Sequence, residues 1–212
     1  MEKTVKTDIK DWKEHAEAHY SKIYAGLDPD EIVGRCNVSY NSDKKYFSVR
    51  LMGTDYKIAF PKFEMNDLTT EGVVSDEARR VLVLRYLCEG KYQASTGKQL
   101  SYREIPWGEV YFRNFEGRCI KRVARMAGAN IQAFNKIFET HKQLKAEKLS
   151  GNAAWRFEFI NGLFMSIIIW EGDDEFPTSA QILFDDNFPA AFSAEDITVL
   201  GEIAITALKT LM

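Results

Sequence analysis

The sequence predicts an α+β fold in which antiparallel β-hairpins form a sheet that helices cover on at least one side. Two pairs of strand-like segments indicate the hairpins: residues 45–51 with 56–60, and residues 155–160 with 163–170. Helical spacing of apolar residues around these pairs indicates the covering layer. Because 45% of the 212 residues are apolar, the chain can bury one sizeable core, and we expect a single α+β domain over residues 1–212.

The first half of the chain is predicted to begin with a helix at residues 9–27, where apolar side chains recur at helical spacing. Asp28 then provides a cap and Pro29 suits the first position of a short second helix, which ends near Gly34. A strand near residues 37–40 precedes the first hairpin, which turns around residues 52–55. Ser75, Asp76 and Glu77 start a third helix, and Gly90 follows its last turn.

The second half begins with a polar connector, residues 91–99, and continues with helices at residues 108–127 and 131–148. Asn161-Gly162 lies between two β-rich runs and favours a tight type I′ turn, and a further strand follows at residues 179–184. Ser193 caps a last helix that runs to about Leu211. Both halves therefore contain strands followed by a helix with a serine at its start, as a weak internal duplication would produce.

Composition argues against several classes of protein. The first ten residues are polar and lack the apolar core of a secretory signal, so we expect a cytoplasmic protein. Apolar runs such as residues 167–170 are far shorter than the roughly 20 residues that cross a bilayer. Cys36, Cys88 and Cys119 are odd in number and widely separated, which fits neither a disulfide framework nor a paired zinc motif. We expect these thiols to be reduced and buried.

Charge is segregated along the chain. Residues 157–208 carry ten acidic side chains and no Lys, Arg or His. The densest part of this segment is Trp170-Glu-Gly-Asp-Asp-Glu-Phe-Pro177, and Asp185 and Asp186 follow the next predicted strand. Such asymmetry can create an oriented field, a cation site or a docking surface.

The two acidic clusters are not expected to form one metal cage. Their strands are joined by about eight residues, too few for a parallel crossover, so the strands should be antiparallel. The clusters then lie at opposite edges of the sheet, roughly 20 Å apart, whereas Mg²⁺ and Ca²⁺ need bonds of about 2 to 2.6 Å. Two interpretations remain: a cation site built on Asp173, Asp174 and Glu175, or a solvated, turn-forming loop anchored by Trp170 and Phe176.

A basic segment balances the acidic one. Residues 91–148 carry 12 Lys or Arg side chains against five acidic ones. Four of them, Arg118, Lys121, Arg122 and Arg125, are spaced so that one helix face would gather them all. This face is open to three interpretations: the solvated side of an amphipathic helix, a site for an anionic ligand, or a docking face for an acidic loop of this chain or of a partner. The pI of 5.7 and the lack of a reading motif argue against nucleic-acid binding.

Other arrangements of reactive residues fit known chemistry less well. His15 and His19 can share a helix face, but they supply only two ligands and lack the glutamate pattern of a zinc protease, so we expect exposed helix residues. Residues 95–98 resemble the end of a phosphate-binding loop without its first glycine. No nucleophile motif is recognisable, and the sequence assigns no metal ligand.

The acidic segment also carries a resemblance to a known family. Trp170-x-Gly-Asp-Asp-Glu-Phe-Pro177, then Ile182-Leu-Phe-Asp185, and a helix opened near Glu195-Asp196 resemble the signature of domain-of-unknown-function family 3786 of bacteria and archaea. The resemblance covers about residues 28–212. It implies a link to anaerobic corrinoid or one-carbon metabolism, because some members of the family are joined to iron–sulfur domains similar to those of corrinoid proteins. This chain has no cysteine cluster for such a centre.

We therefore expect a cytoplasmic accessory module that binds a small ligand or a protein, and we expect binding in preference to catalysis. The predicted binding residues are Trp170, Asp173, Asp174, Glu175, Phe176 and Asp185. The predicted residues for anion or partner docking are Arg118, Lys121, Arg122 and Arg125. One alternative is a metal-dependent enzyme that uses the carboxylates of Asp173, Asp174 and Glu175. Another is a self-association module that forms a homo-oligomer through its two charged surfaces.

Overall fold

The computed structural model describes residues 15–67 and 78–212 of the chain. Its helices are α1 (residues 15–25), α2 (Pro29–Arg35), α3 (Ala78–Glu89), α4 (Gly108–Phe115), α5 (Lys121–Ala129), α6 (Ile131–Thr140), α7 (Phe188–Ala191) and α8 (Ala194–Leu211). A π-helical segment, Glu116–Ile120, joins α4 to α5, and 3₁₀ turns lie at Tyr102–Glu104 and Lys142–Leu144. The strands are β1 (Ser39–Asn41), β2 (Tyr46–Leu51), β3 (Thr54–Ala59), β4 (Met65–Asp67), β5 (Gln99–Ser101), β6 (Glu147–Lys148), β7 (Ala153–Ile160), β8 (Leu163–Trp170) and β9 (Ser179–Asp185).

These strands form one antiparallel sheet, and the predicted α+β fold is confirmed. The strand order is β4-β3-β2-β7-β8-β9-β5, with β1 paired to β2 and β6 paired to β7. Every neighbouring pair is antiparallel. Both predicted hairpins are present, as β2–β3 and β7–β8. None of the helices in the described part of the chain is both long enough and apolar enough to cross a bilayer.

The two hairpins meet at a narrow junction in the middle of the sheet. Strands β2 and β7 share a single register pair, Leu51 with Ile160. Asn161 closes the junction: its side-chain Oδ1 accepts from the Arg50 amide at 2.7 Å, and its own amide donates to the Arg50 carbonyl at 3.1 Å. Both Asn161 (φ 40°) and Gly162 (φ 85°) are left-handed, as the predicted type I′ turn requires. The turn therefore joins the two halves of the sheet as well as reversing the chain.

One face of the sheet is apolar and covered by helices. In β8 the alternate residues Leu163, Met165, Ile167 and Ile169 are buried on this face. Helices α5 and α6 pack on the strands, and α8 packs against α3, α4, α5 and α6. The opposite face carries polar pairs, among them Arg156–Asp185 and Arg50–Glu158. The core therefore lies between one sheet face and the helix layer, with α8 at its centre.

Several helix boundaries that depend on local capping agree with the prediction. Asp28 accepts a hydrogen bond from the Asp30 amide and caps α2, which ends one residue beyond Gly34. Ser193 and Asp196 form a reciprocal capping box at the start of α8. The helix predicted at residues 9–27 is confirmed over residues 15–25. Residues 9–14 and the proposed cap around Ser75 lie outside the described residues.

The helix predicted at residues 131–148 is wrong in its second half. Helix α6 ends at Thr140, and Lys145 adopts the left-handed conformation with φ 48°. Glu147 and Lys148 form β6, which pairs with Arg156 and Trp155 of β7. The segment predicted to be a polar connector, residues 91–99, contains the first residue of β5, which pairs with β9. In both places pairing with another strand overrides the local helix or loop preference.

Burial is expected to make the three cysteines unreactive in the folded protein. All three thiols are free and buried, and burial raises the pKa of Cys36 to about 11 and the pKa values of Cys88 and Cys119 to about 12. Because the thiolate is the nucleophile and is under roughly one part in a thousand at pH 8, Ellman's reagent should label the native protein only slowly. All three thiols should react at once in denaturant. Rapid stoichiometric labelling of the native protein would contradict this expectation.

Candidate functional site

The acidic loop, residues 171–178, connects β8 to β9 and is held in shape by its own backbone. The carboxylate of Asp173 accepts hydrogen bonds from the amides of Phe176 (2.8 Å) and Glu175 (2.9 Å). These two hydrogen bonds hold the pKa of Asp173 below its ordinary value, and the bond from the Phe176 amide contributes most. The Gly172 amide donates to Oγ1 of Thr178 at 3.1 Å and closes the base of the loop. Asp173 thus forms the turn, and its charge is held by backbone donors.

The other side chains of the acidic loop point into solvent. Trp170, just before the loop, is 49% exposed and Phe176 is 68% exposed. Asp174 and Glu175 are exposed, and neither forms an ion pair with any residue that the structure describes. The loop therefore presents unpaired carboxylates next to two exposed aromatic rings.

Asp185 lies apart from this loop. Strands β8 and β9 pair Trp170 with Ser179, so Asp185 at the far end of β9 lies at the opposite edge of the sheet, as the antiparallel prediction implies. Asp185 is 1% exposed and bound by two nitrogens of Arg156, at 3.1 Å to Nε and 2.6 Å to Nη2. The structure thus brings Trp170, Asp173, Asp174, Glu175 and Phe176 together and places Asp185 in a buried ion pair.

The four residues of the predicted basic stripe make different contacts, and two of them bind α8. Arg118 lies in that segment and binds both carboxylate oxygens of Glu202 on α8. Lys121 pairs with Glu116 at 3.1 Å, whereas Arg122 donates to Oγ1 of Thr206 at 2.9 Å. Glu202 and Thr206 lie about one turn apart on α8, so Arg118 and Arg122 face the same helix.

Arg122 and Arg125 line what we call the basic groove. It is a depression of about 460 Å³ between α5 and α8, lined by Arg122, Arg125, Met126, Ala129, Lys209 and Met212. Arg125 and Lys209 are exposed, and neither pairs with an acid within residues 15–67 or 78–212. The groove thus combines uncompensated positive charge with apolar methionine surface.

A further concave site is the helix cavity, which lies between α1, α3 and α8. Its volume is about 760 Å³. Its apolar wall is formed by Ala16, Ala78, Val81, Leu82, Val199 and Ile203. Its polar lining is formed by His15, His19, Tyr20, Arg85, Arg118, Glu195, Asp196 and Glu202. The residues come from four distant parts of the sequence, so the cavity exists only in the folded chain.

Two ion pairs and two unpaired imidazoles surround the cavity. Arg85 donates to Asp196, and its guanidinium lies 5.2 Å from the centre of the Tyr20 ring. Arg118 and Glu202 form the second pair. Across from them, the exposed His15 and His19 have no hydrogen-bond partner among the described residues. Arg85 Nε is buried and also lacks a partner. The cavity therefore keeps free hydrogen-bonding capacity beside an apolar wall.

The arrangement of His, Cys, Asp and Glu side chains decides whether a metal ion can be held. Within the described ranges, no group of three or more His, Cys, Asp or Glu side chains is placed to hold a metal ion. His15 and His19 thus line the cavity without a third ligand from the described part of the chain.

Comparison with family models identifies the chain. A model described as "Domain of unknown function (DUF3786)" matches residues 28–207, which is most of the 212-residue chain. The chain belongs to the DUF3786 family. The comparisons with curated proteins and with solved structures found no match. The predicted resemblance is confirmed, and the DUF3786 match runs from the cap of α2 nearly to the end of α8.

Several residues of the DUF3786-like signature have structural roles in this chain. Asp173 holds the acidic loop, and Asp185 anchors Arg156. A Cβ atom on Gly172 would lie 2.5 Å from the Thr178 amide nitrogen, so only glycine fits there. Asp196 completes the cap of α8 and binds Arg85. Asp196 and its neighbour Glu195 are thus signature residues that line the helix cavity.

Sequence reasoning found only part of the cavity. The spacing of His15 and His19 predicts a shared helix face, but it does not predict that Arg85, Glu195 and Glu202 line the same cavity. The one local signal was Arg118, predicted to dock an anion or partner and found at the cavity rim. The other contacts depend on how α1, α3 and α8 pack.

Proposed function

We propose that this DUF3786 protein is a binding module for a small, mainly apolar molecule with a hydrogen-bonding end, which occupies the helix cavity. The observation that carries the proposal is an apolar-walled cavity of about 760 Å³ with unpaired imidazoles at its rim. Ligand pockets are typically about 300 to 1,000 Å³, mostly apolar, with a few polar groups that orient the ligand. The helix cavity has both properties.

The polar lining supports a ligand with one hydrogen-bonding end. The Arg85–Asp196 and Arg118–Glu202 pairs neutralise most of the lining charge, which leaves His15 and His19 to make new hydrogen bonds. A neutral imidazole offers one donor and one acceptor. A ligand with one hydrogen-bonding group can therefore pair with either imidazole.

The π-helical segment gives independent support. Single π turns inside α-helices occur frequently at functional sites, because they re-aim side chains at a cost in helix stability. Here the segment Glu116–Ile120 directs Arg118 to Glu202 at the cavity rim. The irregular turn thus contributes to the lining of the proposed site.

Filling the cavity is expected to abolish binding. Nile red, an uncharged dye that fluoresces in apolar sites, should bind the wild-type protein saturably. Val81→Trp on α3 and Val199→Trp on α8 should each weaken this binding at least about tenfold, because the indole ring fills the space that the dye needs. Val33→Trp, at an exposed position of α2, is the matched control and should bind as the wild type does. Unchanged dye affinity in both cavity variants would exclude the site.

The polar end is tested by competition. Octanol, octanoate and octylamine share one chain and differ in the head group, so their order of displacement of Nile red identifies the preferred end. His15→Ala with His19→Ala should weaken the best competitor more than it weakens Nile red, because the dye does not need the imidazoles. A corrinoid belongs in the same series, since a link to corrinoid metabolism remains a prediction from the family resemblance.

A further inference from the structure

The acidic loop and the basic groove lie side by side on one surface of the molecule. A Cβ atom on Gly128, in the last turn of α5, would lie 2.6 Å from Cγ2 of Thr178, so the base of the acidic loop rests on the end of this helix. Arg125 precedes Gly128 by three residues, which is about one helical turn or 5 Å along α5. Negative and positive charges therefore occupy neighbouring positions on the same face.

These neighbouring charges are not satisfied within the described part of the monomer. Glu171, Asp174 and Glu175 on the loop, and Arg125 and Lys209 on the groove, form no ion pair there. Three other arginines, Arg50, Arg118 and Arg156, each bind a carboxylate within the monomer. The surface thus retains charge of both signs that is free to pair with another molecule.

A surface that carries both charges is complementary to itself. In a two-fold dimer the same patch meets its own copy, so each acidic loop faces a basic groove and each contact occurs twice. We propose that this surface binds a second copy of the chain, with Asp174 and Glu175 of each subunit opposite Arg125 and Lys209 of the other. The charge pattern indicates that the partner is a second copy, because a surface of one sign would instead favour a molecule of the opposite charge.

Apolar and rigid elements support this assignment. Phe176 (68% exposed), Trp170 (49%) and Met212 (41%) lie in or beside the two charged elements. Aromatic and methionine side chains are enriched in interface cores, and burying them in the dimer would supply affinity that surface charges alone do not. The hydrogen bonds of Asp173 hold the loop in one shape before association, which lowers the entropy lost on binding.

The test is the mass of the protein in solution, measured by light scattering after size exclusion at low salt. Wild-type protein should be a dimer that dissociates as salt increases. Arg125→Glu alone and Asp174→Lys alone should each weaken the dimer at least about tenfold. An equal mixture of the two variants should dimerise again, because each subunit then restores one oppositely charged contact with the other. Arg113→Glu, at another exposed helical arginine, is the control and should leave the dimer intact.

Two results would overturn the inference. One is a wild-type protein that stays monomeric at every concentration, and the other is an Arg125→Glu variant that dimerises as the wild type does. Because Arg125 and Asp174 do not line the helix cavity, Nile red binding should be unchanged in these variants. Failure of this inference is therefore distinguishable from failure of the proposed ligand site.

Discussion

Replacement of Glu158 by Ala is expected to lower the free energy of unfolding by about 3 kcal/mol. The Glu158 side chain is 3% exposed and binds Arg50 Nε at 2.8 Å, Lys145 Nζ at 2.9 Å and the Gly162 amide at 3.0 Å. Its loss leaves two cations and a backbone donor without their acceptor. Broken buried pairs cost about 3 to 5 kcal/mol, and the lower end applies because Arg50 and Lys145 reach solvent. The melting temperature should fall by roughly 6 to 12 °C.

The matched control removes the other carboxylate that Arg50 contacts. Asp55 is 55% exposed and lies 3.4 Å from Arg50 Nη1, so Asp55→Ala should cost less than about 1 kcal/mol. Hydrogen exchange locates the effect: in Glu158→Ala the amides of Met52 and Asn161, which bridge β2 and β7, should lose protection. Equal destabilisation by the two variants would show that the buried network does not stabilise the junction.

The substitution Gly108→Ala is expected to destabilise the protein by about 3 kcal/mol through a steric clash. A Cβ atom on Gly108 would lie 1.8 Å from the carbonyl oxygen of Tyr102, a backbone atom that no side-chain rotation can move away. The Gly108 amide also donates to the Ile105 carbonyl at 2.8 Å, so the start of α4 must shift as a unit. Urea unfolding measures the loss as a lower midpoint at constant slope.

Gly117→Ala is the control within the same helical run. No atom lies within 4 Å of the position that its Cβ would take. Alanine costs less backbone entropy than glycine in a helix, so this variant should gain about 0.5 to 1 kcal/mol. If Gly108→Ala and Gly117→Ala changed stability in the same direction, the packing of α4 against the Tyr102 turn would differ from the structure described.

Much of the fold could be predicted from the sequence because its signals are local. The Asn161-Gly162 turn, the Asp28 cap and the Ser193 capping box each depend on a few consecutive residues whose conformations are limited by sterics and by unpaired amides. The alternation of apolar residues in β8 similarly predicts which side of the strand is buried. These interactions are complete within one turn or one strand.

The misassigned elements lack such local signals. Residues 141–148 have the composition of a helix, yet the chain turns at Lys145 because Glu147 and Lys148 pair with β7. Strands β4 and β5 have three residues each, too few to show a period, and they form because β3 and β9 offer unpaired backbone groups. Strand β5 depends on a segment far away in the sequence, whereas β4 and β6 depend on pairing with the neighbouring strands β3 and β7.

The candidate sites also combine features that the sequence predicts with features that only the packing of the chain decides. The sequence alone determined the acidic, turn-forming character of residues 171–178, the segregation of charge and the membership in DUF3786, since each is a property of the residue order. Only the tertiary structure decided that Asp185 is buried against Arg156 and that Arg118 and Arg122 both contact α8. It also decided that α1, α3 and α8 enclose a cavity. Burial and enclosure depend on which distant surfaces exclude water from each other, and that information is in the packing of the whole chain.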